Sequence, residues 1–150
     1  MAINKTEYYN WQKPAKADKV RFRKASPNLR EGMAWLIKRF GGVNVGIYSR
    51  RPVRGGTAPS THSFGAAMDW RYTNRRNAQA AMKLLVRHSA EFGVQMIVDY
   101  VGCVIWTPSR GWRKMEPNPK TGKGQAWAKW LHVETTKKKW SDSSAWDSRY

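Results

Sequence analysis

The apolar residues of this chain fall into short segments with two different spacings. After Ser26-Pro27, a helix N-cap with proline at the first helical position, apolar residues recur at helical spacing up to Gly41-Gly42. A second helical pattern runs from about Asn77 to Phe92. The other apolar segments are short and typical of strands, at 43–49, 66–72, 94–100, 103–106 and 130–135. Because helices and strands do not alternate strictly, we expect an α+β fold, with a small, mainly antiparallel sheet packed with two or three helices.

The length of 150 residues is typical of one domain with a substantial core. Residues 1–25 are polar and basic, and we predict an irregular basic arm. The folded domain is predicted over 26–136, with a loop rich in proline, glycine and lysine at 107–126. Residues 137–150 form a basic, tryptophan-containing tail that starts at Lys137-Lys138-Lys139. No run of 18 apolar residues occurs, so we expect no membrane span.

The charge of the chain restricts both its partners and its chemistry. It carries 28 Lys and Arg against 10 Asp and Glu, a formal net charge of +18 at pH 7. Excess positive charge attracts polyanions, so nucleic acid, anionic wall polymers and anionic lipid surfaces are all candidate partners. No nucleic-acid-binding motif is present, so nucleic acid is permitted by charge alone. Acid–base and metal chemistry must use the ten carboxylates. These are Glu7, Asp18, Glu31, Asp69, Glu91, Asp99, Glu116, Glu134, Asp142 and Asp147.

The compartment of synthesis is indicated by two features of the sequence. Cys103 is the single cysteine and has no partner for an internal disulfide. The first residues lack the apolar stretch of a secretory signal. We therefore expect synthesis in a reducing cytoplasm, with any export by another route.

The segment from Ser60 to Arg71 is the most informative for chemistry. His62 lies in a loop and Asp69 on the strand that follows, and Gly65 permits the bend that their side chains need to meet. Imidazole and carboxylate are both good ligands for zinc. The same pattern also fits a surface-loop histidine and a strand-end aspartate without a metal.

A second candidate element is the strand that contains His132. Alternate residues of a strand share a face, so His132 and Glu134 should point together while Leu131 and Val133 enter the core. A histidine and a glutamate on one face suit a metal ligand beside a general base, although a half-exposed strand gives the same pattern. The third histidine, His88, is interpreted as an ordinary helix residue.

These residues together resemble a known family. The run Ser60-x-His62-x-x-Gly65-x-Ala67-x-Asp69, followed about sixty residues later by Trp130-x-His132, is similar to the zinc D-alanyl-D-alanine carboxypeptidase and L-alanyl-D-glutamate endopeptidase family. That family shares its fold with the Hedgehog signalling domain and includes many phage endolysins. The resemblance covers roughly residues 27–136, and the run from Gly46 to Gly56 further resembles domains encoded by phages of actinobacteria.

The resemblance implies a role for each matching residue. His62, Asp69 and His132 would bind one Zn²⁺ and leave a fourth position for water. Arg51, or its neighbour Arg50, would steady the oxyanion formed at the scissile carbonyl. Substrate contacts are then expected from Ser60, Arg50 and Trp130.

One position departs from the family pattern. The peptidases carry their catalytic glutamate three residues before the last ligand histidine, where this chain has Lys129. Lysine is protonated at pH 7 unless its pKa is strongly depressed, so it is a poor base. Glu134 is the best substitute, either as the base or as a fourth metal ligand. Asp99 and Glu116 are poorer candidates.

The leading functional hypothesis is a phage-type zinc peptidase that hydrolyses peptide bonds in bacterial peptidoglycan. It would be made in the host cytoplasm and would act at the cell wall or be carried in the virion. Its partners would be peptidoglycan, anionic wall polymers and other virion proteins. The alternative is a non-catalytic phage structural or wall-binding protein on the same fold, in which Lys129 marks a lost activity. A basic nucleic-acid-binding module is a third hypothesis.

Overall fold

The computed structural model of the protein describes residues 24–49 and 60–146. The predicted arm over 1–25 therefore lies almost entirely outside the described residues. Arg50 and Arg51 also lie outside them, as do the last four residues of the predicted tail.

The described part of the chain folds into one antiparallel sheet with three α-helices, which confirms the α+β prediction. The strands are β1 (Val43–Gly46), β2 (Ala67–Arg71), β3 (Val94–Asp99), β4 (Val104–Thr107), β5 (Gly111–Lys114) and β6 (Trp130–Thr135). The helices are α1 (Pro27–Phe40), α2 (Arg75–Arg87) and α3 (Ser89–Phe92), and a 3₁₀ turn covers Thr61–Phe64. The strand order is β1-β2-β6-β3-β4-β5, and every neighbouring pair is antiparallel. No helix within 24–49 and 60–146 is long and apolar enough to cross a membrane.

Helix α1 begins and ends where the sequence predicts. The hydroxyl of Ser26 accepts a hydrogen bond from the Leu29 N–H at 3.1 Å, and Pro27 is the first helical residue. The N–H of Gly41 donates to the Ile37 carbonyl and closes the last turn. The buried side of the helix packs on the sheet through Leu29, Met33 and Leu36.

The second predicted helix is present, but it begins two residues earlier than predicted and is interrupted at His88. It begins at Arg75, because the Asn74 side chain caps it by accepting from the Asn77 N–H at 2.9 Å. The backbone of His88 leaves the helical region, with φ −112° and ψ 26°, and divides α2 from the single turn of α3. His88 is therefore a junction residue and not an ordinary helix residue.

The strand predictions are confirmed for β6 and for the β3–β4 pair, and need two corrections. The segment predicted as a strand over 43–49 is a strand only to Gly46, where the pairing with β2 becomes irregular and the chain bends towards the 3₁₀ turn. The predicted loop over 107–126 contains β5, an edge strand with exposed residues that pairs only with β4 within the described chain. Its four residues, two of them basic, carry no periodic apolar signal.

The two faces of the sheet have different roles. Leu131 and Val133 lie opposite Trp70 and Met68 across the β2–β6 pair and join the apolar core under the helices. Residues at the alternate positions, including His132, lie on the other face. β6 thus has one apolar face and one polar face, as the sequence predicts.

Residues 137–146, predicted as a tail, pack on this domain. The Trp140 side chain is buried, and its indole N–H donates to the Phe64 carbonyl at 3.1 Å. Trp146 stacks on Phe92 with ring centroids 4.0 Å apart, and its indole N–H donates to the Asn28 side chain. Ala145 and Trp146 thus extend the apolar core beside α1.

A partly buried ion pair fixes the β3–β4 turn to α2, and its removal is expected to destabilise the domain. Arg75 donates to the two carboxylate oxygens of Asp99 at 2.8 and 2.9 Å, and the Gly102 N–H donates to the same carboxylate. We expect Asp99→Asn to lower the free energy of unfolding by about 2 kcal/mol, less than for a fully buried pair because Arg75 is partly exposed. Urea unfolding followed by circular dichroism measures this change in the free energy of unfolding.

The matched control is Asp142→Asn, since Asp142 pairs with Lys139 at the surface. That substitution should change the free energy of unfolding by no more than about 0.5 kcal/mol. Equal effects for the two substitutions would contradict a structural role of the Arg75–Asp99 pair.

Candidate metal centre

Strand pairing and a tight turn bring three predicted ligands together. In the β2–β6 pair, Asp69 lies directly opposite His132. His62 comes from the 3₁₀ turn, which Gly65 closes in the left-handed conformation at φ +65° while its N–H donates to the His62 carbonyl. A Cβ at Gly65 would also meet the Lys24 carbonyl, so only glycine fits there.

The three side chains form a compact cluster. One ligand atom each from His62, Asp69 and His132 lies within 4.8 Å of the others. Nε2 of His62 is 3.1 Å from one carboxylate oxygen of Asp69, and Nδ1 of His132 is 3.2 Å from the other. Two imidazoles and one carboxylate are a donor set that zinc commonly takes in catalytic sites.

The surroundings of His62 leave one ring nitrogen available to a metal. Nδ1 lies 2.9 Å from the Ile47 carbonyl, which only accepts, so this nitrogen carries the proton in the neutral ring. Nε2 then presents its lone pair to the Asp69 carboxylate at 3.1 Å, and it is buried without a hydrogen bond from the described residues. Two electron-rich atoms at this distance repel unless a cation or a proton lies between them.

His132 lies between two carboxylates. Its Nδ1 faces Asp69 and its Nε2 is 2.9 Å from Glu134. Burial alone would lower the pKa of His132, but the hydrogen bonds and charges of Asp69 and Glu134 outweigh it and raise that pKa well above its ordinary value. Burial likewise would raise the pKa of Asp69, but the hydrogen bond and charge of His132 outweigh it and hold that pKa below its usual range. The arrangement therefore favours a positive charge, either a proton or a metal cation, between the Asp69 carboxylate and the rings of His62 and His132.

Asp69 and Glu134 contact different nitrogens of the His132 ring, Asp69 at Nδ1 and Glu134 at Nε2. The Glu134 carboxylate accepts from the Thr61 hydroxyl at 3.0 Å, from the Gln95 side-chain amide at 3.1 Å and from His132. Burial would raise the pKa of Glu134, but these donors outweigh it and lower the pKa. Glu134 is not a member of the three-residue ligand cluster. A carboxylate with three donors and a lowered pKa is a weak proton acceptor.

The cluster opens into a cavity of about 240 Å³. Ser60 and Trp130, both predicted to contact substrate, line it, and so does Glu134. The hydroxyl of Ser60 also accepts from the His62 N–H at 3.3 Å and caps the 3₁₀ turn. Sequence reasoning missed Tyr100 and Lys123, which line the cavity, and Thr61 and Gln95, which hold Glu134. A glutamine inside the apolar strand Val94–Asp99 was the one available signal for this network.

Asp99 and Glu116, the poorer candidates for the base, do not line the cavity, and neither does Lys129. Lys129, at the position of the family glutamate, is exposed. Asp99 is paired with Arg75, and Glu116 is exposed after β5. Of the described carboxylates, Asp69 and Glu134 are the two that line the cavity.

Comparisons with protein-family models, with curated proteins and with solved structures find no match to this chain.

Proposed function

We propose that this protein is a phage-type zinc peptidase that hydrolyses peptide bonds in bacterial peptidoglycan, on the fold of the zinc carboxypeptidase and endopeptidase family. The observation that carries the proposal is the cluster of His62, Asp69 and His132 on two paired strands and an adjoining turn, at a cavity. The order of these residues along the chain is the order in the family motif.

The residues of the cluster fit zinc. The buried Nε2 of His62 has no hydrogen bond within the described chain. The other ring nitrogen, Nδ1, is held by the backbone carbonyl of Ile47, as is usual for histidine ligands. Asp69 supplies oxygen and His132 supplies its Nδ1. A bound zinc supplies Lewis-acid polarisation of a carbonyl and activation of water near neutral pH.

The chain's own groups then bind and orient a peptide. Ser60 and Trp130 line the cavity beside the cluster, and Lys123 adds a cation at its wall. In the family pattern Arg51, or Arg50, would donate to the oxyanion. Two roles were open for Glu134, base and fourth ligand, and its three hydrogen bonds favour neither.

The partners and the place of action follow from the same proposal. A net charge of +18 favours association with anionic wall polymers as well as with peptidoglycan. The protein would be made in the host cytoplasm and would act at the wall or travel in the virion beside other virion proteins.

One observation favours a second candidate, a non-catalytic wall-binding protein that keeps the metal for stability. Lys129 is exposed, and Glu134 is held by Thr61, Gln95 and His132. The described residues therefore place no uncommitted carboxylate at the cavity. In this case the protein would bind zinc and cell walls without hydrolysis.

Removal and return of zinc separates the two candidates. The protein is treated with a chelator, and release of new amino groups from purified peptidoglycan is followed before and after zinc is added. We expect release to fall at least about 100-fold on chelation, since a bound metal contributes several kcal/mol to the reaction, and to return with zinc. Zinc-dependent stability with wall binding and no amino-group release would reject the peptidase and favour the second candidate.

A further inference from the structure

Buried hydrogen bonds fix one edge of the His132 ring. Nε2 of His132 lies 2.9 Å from Glu134, and Glu134 is 5% exposed. A carboxylate only accepts, so the contact is a hydrogen bond only when Nε2 carries a proton. The neutral ring has one proton, and with that proton on Nε2 the lone pair is on Nδ1, which faces Asp69.

Three separate elements hold the Glu134 carboxylate in place. Glu134 is on β6, Gln95 on β3 and Thr61 on the 3₁₀ turn, and both partners donate to it. Gln95 and Thr61 are 1% and 5% exposed, so water does not readily replace either donor. Thr61 is the neighbour of His62, so the same carboxylate also ties the turn of the first histidine to the strand of the second.

We infer that Glu134 is a positioning residue that keeps the proton of His132 on Nε2 and thereby presents Nδ1 to the metal. Glu134 acts through His132 and is neither the base nor a ligand. The inference rests on the metal site of the proposed function and does not require that the protein cleave peptidoglycan. A carboxylate behind a metal-bound histidine fixes the ring and increases its basicity, and losing it typically weakens metal binding by about 10- to 100-fold.

The first test is the affinity for Zn²⁺ of the full chain, measured by competition with a chromophoric chelator. Glu134→Gln keeps the shape and one acceptor oxygen, and we expect about 10-fold weaker binding. Glu134→Leu removes every acceptor, and we expect about 100-fold weaker binding. The control is Glu116→Gln at an exposed position, which should bind as the wild type does.

The second test reads the proton directly. In protein labelled with ¹⁵N-histidine and loaded with zinc, the nitrogen shifts of His132 should show a protonated Nε2 and a metal-bound Nδ1. A proton on Nδ1 with Nε2 bound to the metal would overturn the inference. Glu134→Leu should broaden or shift the His132 signals relative to those of His88.

A third variant covers the case in which Glu134→Leu does not fold. Thr61→Val keeps the shape of the side chain and removes one donor from Glu134. It should weaken zinc binding less than Glu134→Gln does. Unchanged affinity in both variants would overturn the positioning role.

The outcomes also separate this inference from the peptidase proposal. If Glu134→Gln abolishes hydrolysis while zinc affinity stays at the wild-type value, Glu134 is the base and the inference fails. If the wild type never cleaves peptidoglycan but shows these affinities and this protonation, the inference stands and the peptidase proposal fails. If the wild type binds no zinc, both fail.

Discussion

Replacing His62 with alanine is expected to remove both the metal and the activity. The wild type should contain about one zinc per chain, and His62→Ala should contain almost none, because a three-residue site loses one of its ligands. Hydrolysis of peptidoglycan should then fall at least about 100-fold. Metal analysis of the purified protein and amino-group release measure the two effects. The apolar core lies on the opposite face of the sheet, so the far-ultraviolet circular dichroism should be unchanged.

The control is His88→Ala, because His88 lies at the α2–α3 junction and outside the ligand cluster. This variant should keep one zinc per chain and wild-type hydrolysis. Full zinc content in His62→Ala would contradict the assignment of the site. Loss of zinc with unchanged hydrolysis would contradict the catalytic role of the metal.

Removal of the segment after Thr136 is expected to unfold the domain. In this segment Trp140 is buried, and its indole N–H donates to the Phe64 carbonyl. The backbone carbonyl of Trp140 accepts from the Asn28 N–H and from the Ser26 hydroxyl. Trp146 stacks on Phe92. Trp140→Ala alone should cost about 3–5 kcal/mol, a large part of the 5–15 kcal/mol that stabilises a typical domain. We therefore expect a chain that ends at Thr136 to show no cooperative thermal unfolding.

The matched control is Trp127→Ala, since Trp127 is 55% exposed. This substitution should change the free energy of unfolding by about 0.5 kcal/mol or less. A truncated chain with the melting temperature of the full protein would show that residues 137–146 are dispensable for the fold.

The local features of the fold were predictable from the sequence. Ser26 and Pro27 cap α1 in the predicted way, and alternation predicted the two faces of β6. Features that depend on tertiary contacts were not predictable from the sequence. The break at His88 and the edge strand β5 have no periodic signal, and the tail has a polar sequence although two tryptophans anchor it.

The candidate site shows the same division between local and distant contacts. His62 and Asp69 are seven positions apart on either side of a glycine turn, so their approach follows from the local chain. Their approach to His132 was expected from the family motif, and β2–β6 pairing provides it. The contacts of Glu134 with Thr61 and Gln95 span 73 and 39 positions, and composition and spacing give no means of predicting them. On the basis of these contacts we infer a positioning role for Glu134, in place of the predicted role as base or fourth ligand.

Anomalous diffraction at the zinc edge, from crystals of the zinc-loaded protein, would locate the metal among its ligands. We expect one zinc peak per chain, about 2.0–2.2 Å from Nε2 of His62, from Nδ1 of His132 and from a carboxylate oxygen of Asp69. Glu134 should lie outside the coordination shell, with its hydrogen bond to Nε2 of His132 intact. A peak elsewhere or no peak would contradict the proposed zinc site, and Glu134 among the ligands would contradict its positioning role.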